Sequence, residues 1–363
     1  MPRSPHDRRP SLFLSLAAVT ITLAAGCGGE SADPSVSAGD SGATATRADR
    51  LERLLGVLAA DSMEGRRAGT EGIRQAADFL ATELERYGVE PVGEDGYFQP
   101  VSLARVGGEG GRLALPSAEL DFDTLPQEWI LDDEVNVVGL VPGADPEVAD
   151  EVVVVGAHYD HLGIGPPVDG DSIYNGADDD GTGTVAVLEI ARDLAEGPAP
   201  RRTVLVLLST AEEQGLLGTR WYIEHPLIPL EQTVADFQIE MIGRPDSLAG
   251  GPGRGWLTGY ERTTMGDQLS AAGSPIVADP RPEMRFFFRS DNLPFAEEGI
   301  PAHTLSSYNL HTDYHTPSDE VDRIDFEHMA TLVEAAIEAV RLLADGPRPE
   351  WEEGGREGLR ERP

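Results

Sequence analysis

Apolar residues recur along the chain with two different periods, and the period separates predicted helices from predicted strands. In the segment 72–87, apolar residues from Ile73 to Leu84 follow the spacing of a helix that buries one face, and Gly88 ends it. The segment 151–157 (EVVVVGA) is instead a short β-branched run, which indicates a strand buried on both faces. The predicted helices are 51–58, 72–87, 183–195, 215–224, 264–271, 292–298 and 325–343. The predicted strands are 135–141, 151–157, 203–209, 233–241 and 301–305.

Buried strands that alternate with helices predict an α/β fold, a three-layer sandwich with a mixed, mostly parallel central sheet. We expect one domain over residues 47–346, because no internal repeat is visible there. In such sheets, binding and catalytic side chains gather beyond the carboxyl ends of the strands. The residues that follow each predicted strand are therefore the candidates for a functional site.

The N-terminal region carries a signal for export. Arginines precede the apolar run 12–25, which is too short to span a bilayer comfortably and ends in small residues, as a secretory signal does. The segment 23–27 (LAAGC) resembles the bacterial lipoprotein box, although Ala24 stands where that box usually has Leu. The resemblance implies a signal peptide over residues 1–27 and lipidation of Cys27. The protein would then be exported and lipid-anchored to a membrane of the bacterial cell envelope, at the periplasmic or outer-membrane face. An ordinary signal peptide with an incidental cysteine is the alternative.

The segments that flank the predicted domain are poor in apolar residues. Residues 28–46 consist mainly of Gly, Ser, Ala and Thr, a composition typical of a flexible tether. Residues 347–363 are rich in Pro, Gly, Glu and Arg, and we expect them to form a disordered tail.

The charge of the chain excludes several kinds of function. The 363 residues include 64 acidic and 28 basic ones, a formal net charge of −36, and every basic residue is an arginine. Without lysine there can be no pyridoxal Schiff base, lysine general base or phosphate-binding P-loop. Nucleic acid would be repelled, so we expect no nucleic acid partner. The single cysteine excludes an internal disulfide and a zinc site built from cysteines.

Side chains of metal-binding type follow the strand 151–157 and precede the next helix. His158 and Asp160 point the same way in extended chain, so an imidazole ligand and the carboxylate that orients it would be presented together. Taken alone, His158 fits a hydrogen-bonded structural histidine better. The aspartates 178–180 could cap the helix that follows, but capping needs one carboxylate, and three neighbours repel unless a cation lies among them.

The later strands end in the same kinds of residue. Glu212 and Glu213 follow a buried strand, and two adjacent glutamates there cannot both be ionised without compensation, although a solvated helix start is an equally good reading of this motif alone. Glu240 stands between apolar residues, where a carboxylate is costly unless it is paired or binds a metal. His311 and His315 lie in a polar loop before the last helix.

In chain order these motifs supply five metal-ligand types at successive strand ends, namely His158, Asp179, Glu213, Glu240 and His315. Two zinc ions that share one carboxylate need five protein groups, two private ligands for each ion and one bridge. Three carboxylates and two zinc ions leave one positive charge, which a hydroxide would balance. We therefore predict a cofactor of two Zn²⁺ ions per chain.

Six blocks of sequence resemble the co-catalytic zinc aminopeptidase family, which also includes glutamate carboxypeptidase and glutaminyl cyclase. The blocks are AHYDHLG, GADDDGTG, AEEQGLLG, IEMIG, SDNLPFAEEGIP and YHTPSD, and the similarity extends from about Asp61 to the final helix. The resemblance implies the zinc aminopeptidase architecture, with a cis peptide after the bridging aspartate.

The same resemblance assigns a role to each candidate site residue. It implies that His158 and Glu240 bind one zinc and Glu213 and His315 the other, with Asp179 as the bridge. It also implies that Glu212 is the general base for a water activated by the zinc pair, and that Asp160 orients His158 from behind. Two positions depart from the family pattern, since Glu240 is usually Asp and Asn292 is often His.

The resemblance favours an aminopeptidase that hydrolyses N-terminal peptide bonds, acting as a monomer on peptide substrates. A carboxypeptidase or a glutaminyl-cyclase-like enzyme on the same scaffold is the first alternative, and Arg285 and Arg289 keep it open because either could bind a substrate carboxylate. A non-catalytic binding lipoprotein is the second, although the presence of all five ligand types and of Glu212 argues against it.

Overall fold

The computed structural model describes residues 45–108, 111–131 and 133–360. The predicted signal peptide, the lipidation site Cys27 and residues 28–44 of the predicted tether lie outside the described residues. The helices are α1 (Arg47–Leu58), α2 (Glu71–Tyr87), α3 (Gly183–Glu196), α4 (Leu217–Glu224), α5 (Met265–Ala271), α6 (Asn292–Glu297) and α7 (Phe326–Asp345). The strands are β1 (Glu90–Pro91), β2 (Phe98–Pro100), β3 (Leu103–Val106), β4 (Arg112–Ala114), β5 (Ile130–Leu131), β6 (Val135–Val141), β7 (Val152–His158), β8 (Gly163–Val168), β9 (Asp171–Tyr174), β10 (Thr203–Ser209), β11 (Thr233–Ile239), β12 (Gly255–Leu257), β13 (Ile276–Ala278) and β14 (Ala302–Ser306).

A nine-stranded mixed sheet forms the centre of the fold. Its strand order is β1-β6-β10-β7-β11-β14-β12-β13, and β2 also pairs with β6. The four middle strands, β10, β7, β11 and β14, are mutually parallel, whereas β6 and β12 run antiparallel to β10 and β14. The predicted α/β fold with mostly parallel central strands is confirmed.

The sheet lies between two layers of helices, each with its own apolar core. Helices α1, α2, α3, α5 and α7 cover one face, where Leu51, Leu80 and Leu188 belong to a large buried cluster. Helices α4 and α6 cover the other face, where Tyr222 and Phe295 pack against β7 and β10. No helix within the described ranges combines the length and the apolar character needed to cross a bilayer.

Local sequence explains where the main elements begin and end. Every residue of β7 is buried, as its β-branched run predicts for a strand covered on both faces. Helix α1 starts with a capping box, in which the backbone N–H of Asp49 donates to the Thr46 hydroxyl and the Asp49 carboxylate accepts from the Thr46 N–H. Helix α2 ends at Gly88 in the left-handed conformation (φ 75°), which favours glycine.

The C-terminal segment differs from the predicted disordered tail. Trp351 forms a β-bridge with Thr263, and its indole N–H donates to the carbonyl oxygen of Gly299 at 2.7 Å. The Arg262 guanidinium donates to the carbonyl oxygens of Gly355 and Glu357. Residues 347–360 therefore pack onto the domain through one aromatic side chain and backbone hydrogen bonds, which their composition did not reveal.

Candidate metal centre

The candidate ligands come together because the middle strands end at one edge of the sheet. His158 is the last residue of β7 and pairs in register with Ser209, the last residue of β10. Glu240 directly follows β11, the other neighbour of β7. Since parallel strands present their carboxyl ends together, residues from distant parts of the chain meet there.

Asp179 lies between two groups of possible ligands. A nitrogen of His158 and carboxylate oxygens of Asp179 and Glu240 lie within 4.8 Å of one another. The His158 Nε2 atom is 3.4 Å from Asp179 Oδ1. On the other side, His315 Nε2 lies 3.1 Å from Asp179 Oδ2 and 3.3 Å from Glu213 Oε1. All five sequence-predicted ligands are therefore brought together, and Asp179 is the residue common to both groups.

His161 also faces the second group, and one of its nitrogens lies within 4.8 Å of carboxylate oxygens of Asp179 and Glu213, although the sequence did not indicate it as a candidate ligand. Its Nδ1 atom lies 2.9 Å from Glu213 Oε1 and 3.9 Å from Asp179 Oδ2. The alternation of an extended strand would turn position 161 away from position 158, but β7 ends at His158 and residues 159–162 belong to no strand or helix. The only available signal was its place in a polar run directly after a buried strand.

The donor set and its unpaired atoms fit zinc. His158 Nε2, Glu213 Oε1 and His315 Nε2 are buried atoms without a hydrogen-bond partner among the described residues. Each buried polar atom left unpaired costs about 1–3 kcal/mol, so atoms that converge in this way call for a bound group. Imidazole nitrogens and carboxylate oxygens are zinc ligands. In the absence of a cation, burial opposes the protonation of His315, but the carboxylates of Asp179 and Glu213 raise its pKa to about 10.

Asp160 contacts both His158 and the backbone of Glu212 and Glu213. The His158 Nδ1 atom lies 3.3 Å from the backbone carbonyl oxygen of Asp160, its hydrogen-bond partner, and 3.5 Å from Asp160 Oδ1, which leaves Nε2 to face Asp179. The backbone N–H groups of Glu212 and Glu213 donate to the two oxygens of Asp160, at 3.0 and 3.3 Å. The predicted orienting residue therefore also fixes the turn that carries Glu212.

Glu212 belongs to neither ligand group, and it lines the pocket next to Asp179 and Glu240. Burial, and after it the carboxylates of Glu240 and Asp291, raise the pKa of the Glu212 carboxyl well above its usual range. A general base must hold the proton it has taken through the second half of its cycle, and an environment that favours the protonated carboxyl assists this.

Within the aspartate triplet, only Asp179 turns toward the ligand groups. The Asp180 carboxylate accepts from the backbone N–H groups of Gly183 and Met241, both at 3.0 Å. The Asp178 carboxylate accepts from the N–H of Gly243 at 2.8 Å. Asp178 and Asp180 therefore fasten the loop to its neighbours and belong to neither ligand group. The cis peptide between Asp179 and Asp180 is present.

A pocket opens beside the ligand groups and has an aromatic wall. Its aromatic residues are Trp256, Phe286, Tyr308 and Tyr314. The ring of Tyr314 stacks on His315 with 3.8 Å between the ring centroids. Arg289 also lines this pocket, whereas Arg285 lies over the ring of Phe288, outside it. Carboxylates, aromatic rings and one arginine would thus surround a substrate terminus.

A family model and a curated protein match the sequence of this chain. A family model described as Peptidase family M28 matches residues 136–340. Aminopeptidase YwaD of Bacillus subtilis (strain 168) is 29% identical over 216 residues, which are 57% of this chain and 45% of that protein. The chain thus spans less than half the length of this curated relative.

Solved structures share the fold. A zinc aminopeptidase from Bacillus subtilis, BSAP, matches with a TM-score of 0.57 and 16% identity over 82% of this chain and 96% of its own. The glutaminyl cyclase of Porphyromonas gingivalis matches with a TM-score of 0.57 and 18% identity over 81% of this chain and 97% of its own.

Proposed function

The chain belongs to peptidase family M28, and on that premise we propose that it is a zinc-dependent aminopeptidase that hydrolyses N-terminal peptide bonds. The observation that carries the proposal is the pair of ligand groups joined through Asp179, with Glu212 on the wall of the adjoining pocket.

Some residues of the site would bind the metal, and one would transfer the proton during hydrolysis. His158 and Glu240 would hold one zinc ion, Glu213 and His315 the other, and Asp179 would contact both. Zinc bound there would lower the pKa of a coordinated water and polarise the scissile carbonyl. The Glu212 carboxylate takes a proton from the attacking water and delivers it to the nitrogen of the leaving amine. Asp160 keeps the Glu212 backbone in place for that transfer.

An amino terminus as the bound end is supported by the relative named aminopeptidase and by one carboxylate outside the ligand groups. Zinc would neutralise its ligands Asp179, Glu213 and Glu240, whereas Glu212 keeps a negative charge on the pocket wall that would attract a free α-ammonium group. One arginine, Arg289, lines the same pocket, and its exposed guanidinium stands over Phe286, 5.1 Å from the ring centroid. A carboxypeptidase on this scaffold would depend on Arg289.

Glu212→Gln separates metal binding from chemistry. We expect the variant to bind zinc like the wild type, because Glu212 belongs to neither ligand group, and to lose aminopeptidase activity by at least about 10³-fold, because the proton acceptor is gone. Zinc content and the hydrolysis of aminoacyl anilides measure the two effects. Near wild-type turnover would contradict the role of Glu212.

A substrate panel tests the reaction class. Peptides with a free N-terminus, their N-acetylated forms and N-terminal glutaminyl peptides should be compared on the zinc-loaded wild type and on Arg289→Ala. An aminopeptidase cleaves only the peptides with a free N-terminus, and Arg289→Ala should cleave the same peptides. Cleavage of the acetylated peptides at their C-terminus, lost in Arg289→Ala, would replace the proposal with a carboxypeptidase. Cyclisation of the glutaminyl peptide without hydrolysis would replace it with a cyclase.

A further inference from the structure

His161 stands apart from the other buried histidines by having no hydrogen-bond partner. The two nitrogens of His303 pair with the carbonyl oxygen of Thr258 and the hydroxyl of Thr263. Both nitrogens of His328 are likewise paired. The side chain of His161 is fully buried, yet neither Nδ1 nor Nε2 has a hydrogen-bond partner within the described part of the chain. In the structural histidines His303 and His328, both ring nitrogens have hydrogen-bond partners. Packing alone therefore does not explain why the ring of His161 is buried without any.

The Nδ1 atom of His161 lies close to the carboxylates of Glu213 and Asp179, but neither contact has the geometry of a hydrogen bond. It lies 2.9 Å from Glu213 Oε1, and both atoms nevertheless count among the buried atoms that lack a hydrogen-bond partner. Two electron-rich atoms this close repel each other unless a proton or a metal ion lies between them, and the geometry of this contact does not suit a shared proton. Ligands at about 2.1 Å from a tetrahedral zinc are about 3.4 Å apart. The separations of 2.9 Å to Glu213 and 3.9 Å to Asp179 lie on either side of that value.

We propose that His161 Nδ1 is a fourth protein ligand of the second metal position, together with Asp179, Glu213 and His315. The inference rests on the metal centre of the proposed function and extends it, because the family resemblance assigns only three protein ligands to that position. It does not depend on which substrate the protein cleaves.

The surroundings of His161 hold its ring in this orientation. The backbone N–H of His161 donates to the carbonyl oxygen of Arg66 at 3.1 Å. The ring packs directly on Gly176, where an added Cβ would lie 2.5 Å from ring atoms of His161. His315 meets the ring edge-on, with 5.7 Å between centroids. The imidazole is thus placed before any metal arrives, as a ligand should be.

A fourth ligand makes the two metal positions unequal. Zinc sites closed by four protein ligands are typically structural, whereas sites with three protein ligands keep an open position for water or substrate. The position of His158, Asp179 and Glu240 has three protein ligands and adjoins Glu212 and the pocket. We therefore expect one tightly held zinc ion at the His161 position and one weaker, exchangeable ion at the His158 position.

Metal affinity tests the proposal without reference to activity. Metal-free wild type, His161→Asn and the control His225→Gln, which changes an exposed histidine, are titrated with zinc by calorimetry, and the zinc retained after dialysis against a mild chelator is measured. Loss of partners behind a ligand already weakens metal binding about 10–100-fold, so loss of the ligand itself should weaken the tight step by about 100-fold or more. The wild type and His225→Gln should show two steps and retain one ion. Equal tight-step affinities in His161→Asn and the wild type would overturn the proposal.

Cobalt spectroscopy of His161→Cys distinguishes a ligand from a packing residue. A thiolate that binds cobalt(II) produces a charge-transfer absorption in the near ultraviolet, and a cysteine that only fills space does not. The background from Cys27 is measured in the cobalt-loaded wild type. Absence of the new band in a folded, cobalt-loaded His161→Cys protein counts against the proposal. Tight zinc binding that requires His161, in a protein without peptidase activity, would refute the proposed function and leave this inference intact. A wild type that binds no metal would refute both.

Discussion

At the scale of single residues, neighbours in the sequence take different roles because the backbone turns their side chains apart. Asp178, Asp179 and Asp180 are consecutive, yet only Asp179 faces the ligand groups, while its neighbours accept backbone hydrogen bonds. Glu213 joins a ligand group, and Glu212 remains beside the pocket. The type of residue therefore indicates the chemistry of the site, and the local backbone decides which of several identical side chains performs it.

His303 predicts a pH dependence of stability that belongs to a single side chain. Burial lowers the pKa of His303 from its usual 6.5 to about 4. Below pH 6.5 the His303 ring binds a proton in the unfolded chain but not in the folded chain, which does so only as the pH falls toward 4. The contribution of His303 to the free energy of unfolding is therefore fully present above pH 6.5 and is lost as the pH falls toward 4. Between about pH 7.5 and 4.5 the loss amounts to about 2–3 kcal/mol.

Urea unfolding of the metal-free wild type and of His303→Gln at both pH values measures this contribution. The variant has no titrating ring, so the stability difference between the two proteins should shrink by that amount at the lower pH. Equal pH dependence in both proteins would show that His303 is not responsible.

At the scale of elements, the loops that carry the ligands are fastened by one buried arginine. The Arg66 guanidinium is fully buried and donates to four carbonyl oxygens. These belong to Leu58, Tyr159, Asn175 and Gly176. The segments so joined are the end of α1, the residues after β7 and the residues after β9, which lead to His161 and to Asp179.

Replacing Arg66 should therefore loosen both the fold and the metal centre. In Arg66→Met the four carbonyl oxygens lose their charged donor, and we expect the free energy of unfolding to fall by about 3–5 kcal/mol. Zinc affinity should fall as well, because the loops of His161 and Asp179 would no longer be held together. Chemical denaturation and zinc titration measure the two effects. The matched control is Arg53→Met, since Arg53 is exposed and lies 3.9 Å from Glu83, a contact worth about 0–1 kcal/mol. Equal losses in both variants would contradict this role for Arg66.

At the scale of the whole molecule, the formal net charge of −36 far exceeds the charge of the few carboxylates in the metal centre. The expectation that nucleic acid is not a partner rests on this charge. In the proposed enzyme, zinc would supply the positive charge that peptide hydrolysis requires, which suits a chain without lysine.

The proposal of a lipid anchor predicts a change of compartment. With Cys27→Ser the acceptor of the lipid is lost, so the exported protein should move from the membrane fraction to the soluble fraction while its activity per molecule stays unchanged. Cell fractionation in a bacterial host and mass spectrometry of the N-terminus measure this. Ser31→Ala, a substitution four residues further along in the predicted tether, leaves the lipid acceptor in place and serves as the control. An unaltered membrane fraction in Cys27→Ser would reject the anchor.

The amino-acid sequence was sufficient to predict the main periodic elements and the kinds of candidate ligand. Residues 135–141 and 203–209 form strands with the predicted bounds, because a buried strand shows its apolar run directly in the sequence. The short strands β3, β4, β8 and β9 were not predicted, since three to six residues are too few to show a period. The candidate ligands His158, Glu213 and Glu240 could be identified because they follow recognisable strands, whereas Asp179 follows the unpredicted strand β9 and His315 lies in a loop.

How these residues meet depends on the tertiary structure. It placed Asp179 between the two groups, directed Asp178 and Asp180 to backbone N–H groups, and brought His161 to Glu213. It also packed Trp351 against the domain, although the composition of its segment predicted disorder. The physical reason is the same in each case. Periodicity along the chain reports burial of regular elements, whereas the direction of a side chain in a loop depends on hydrogen bonds and packing with residues far away in the sequence.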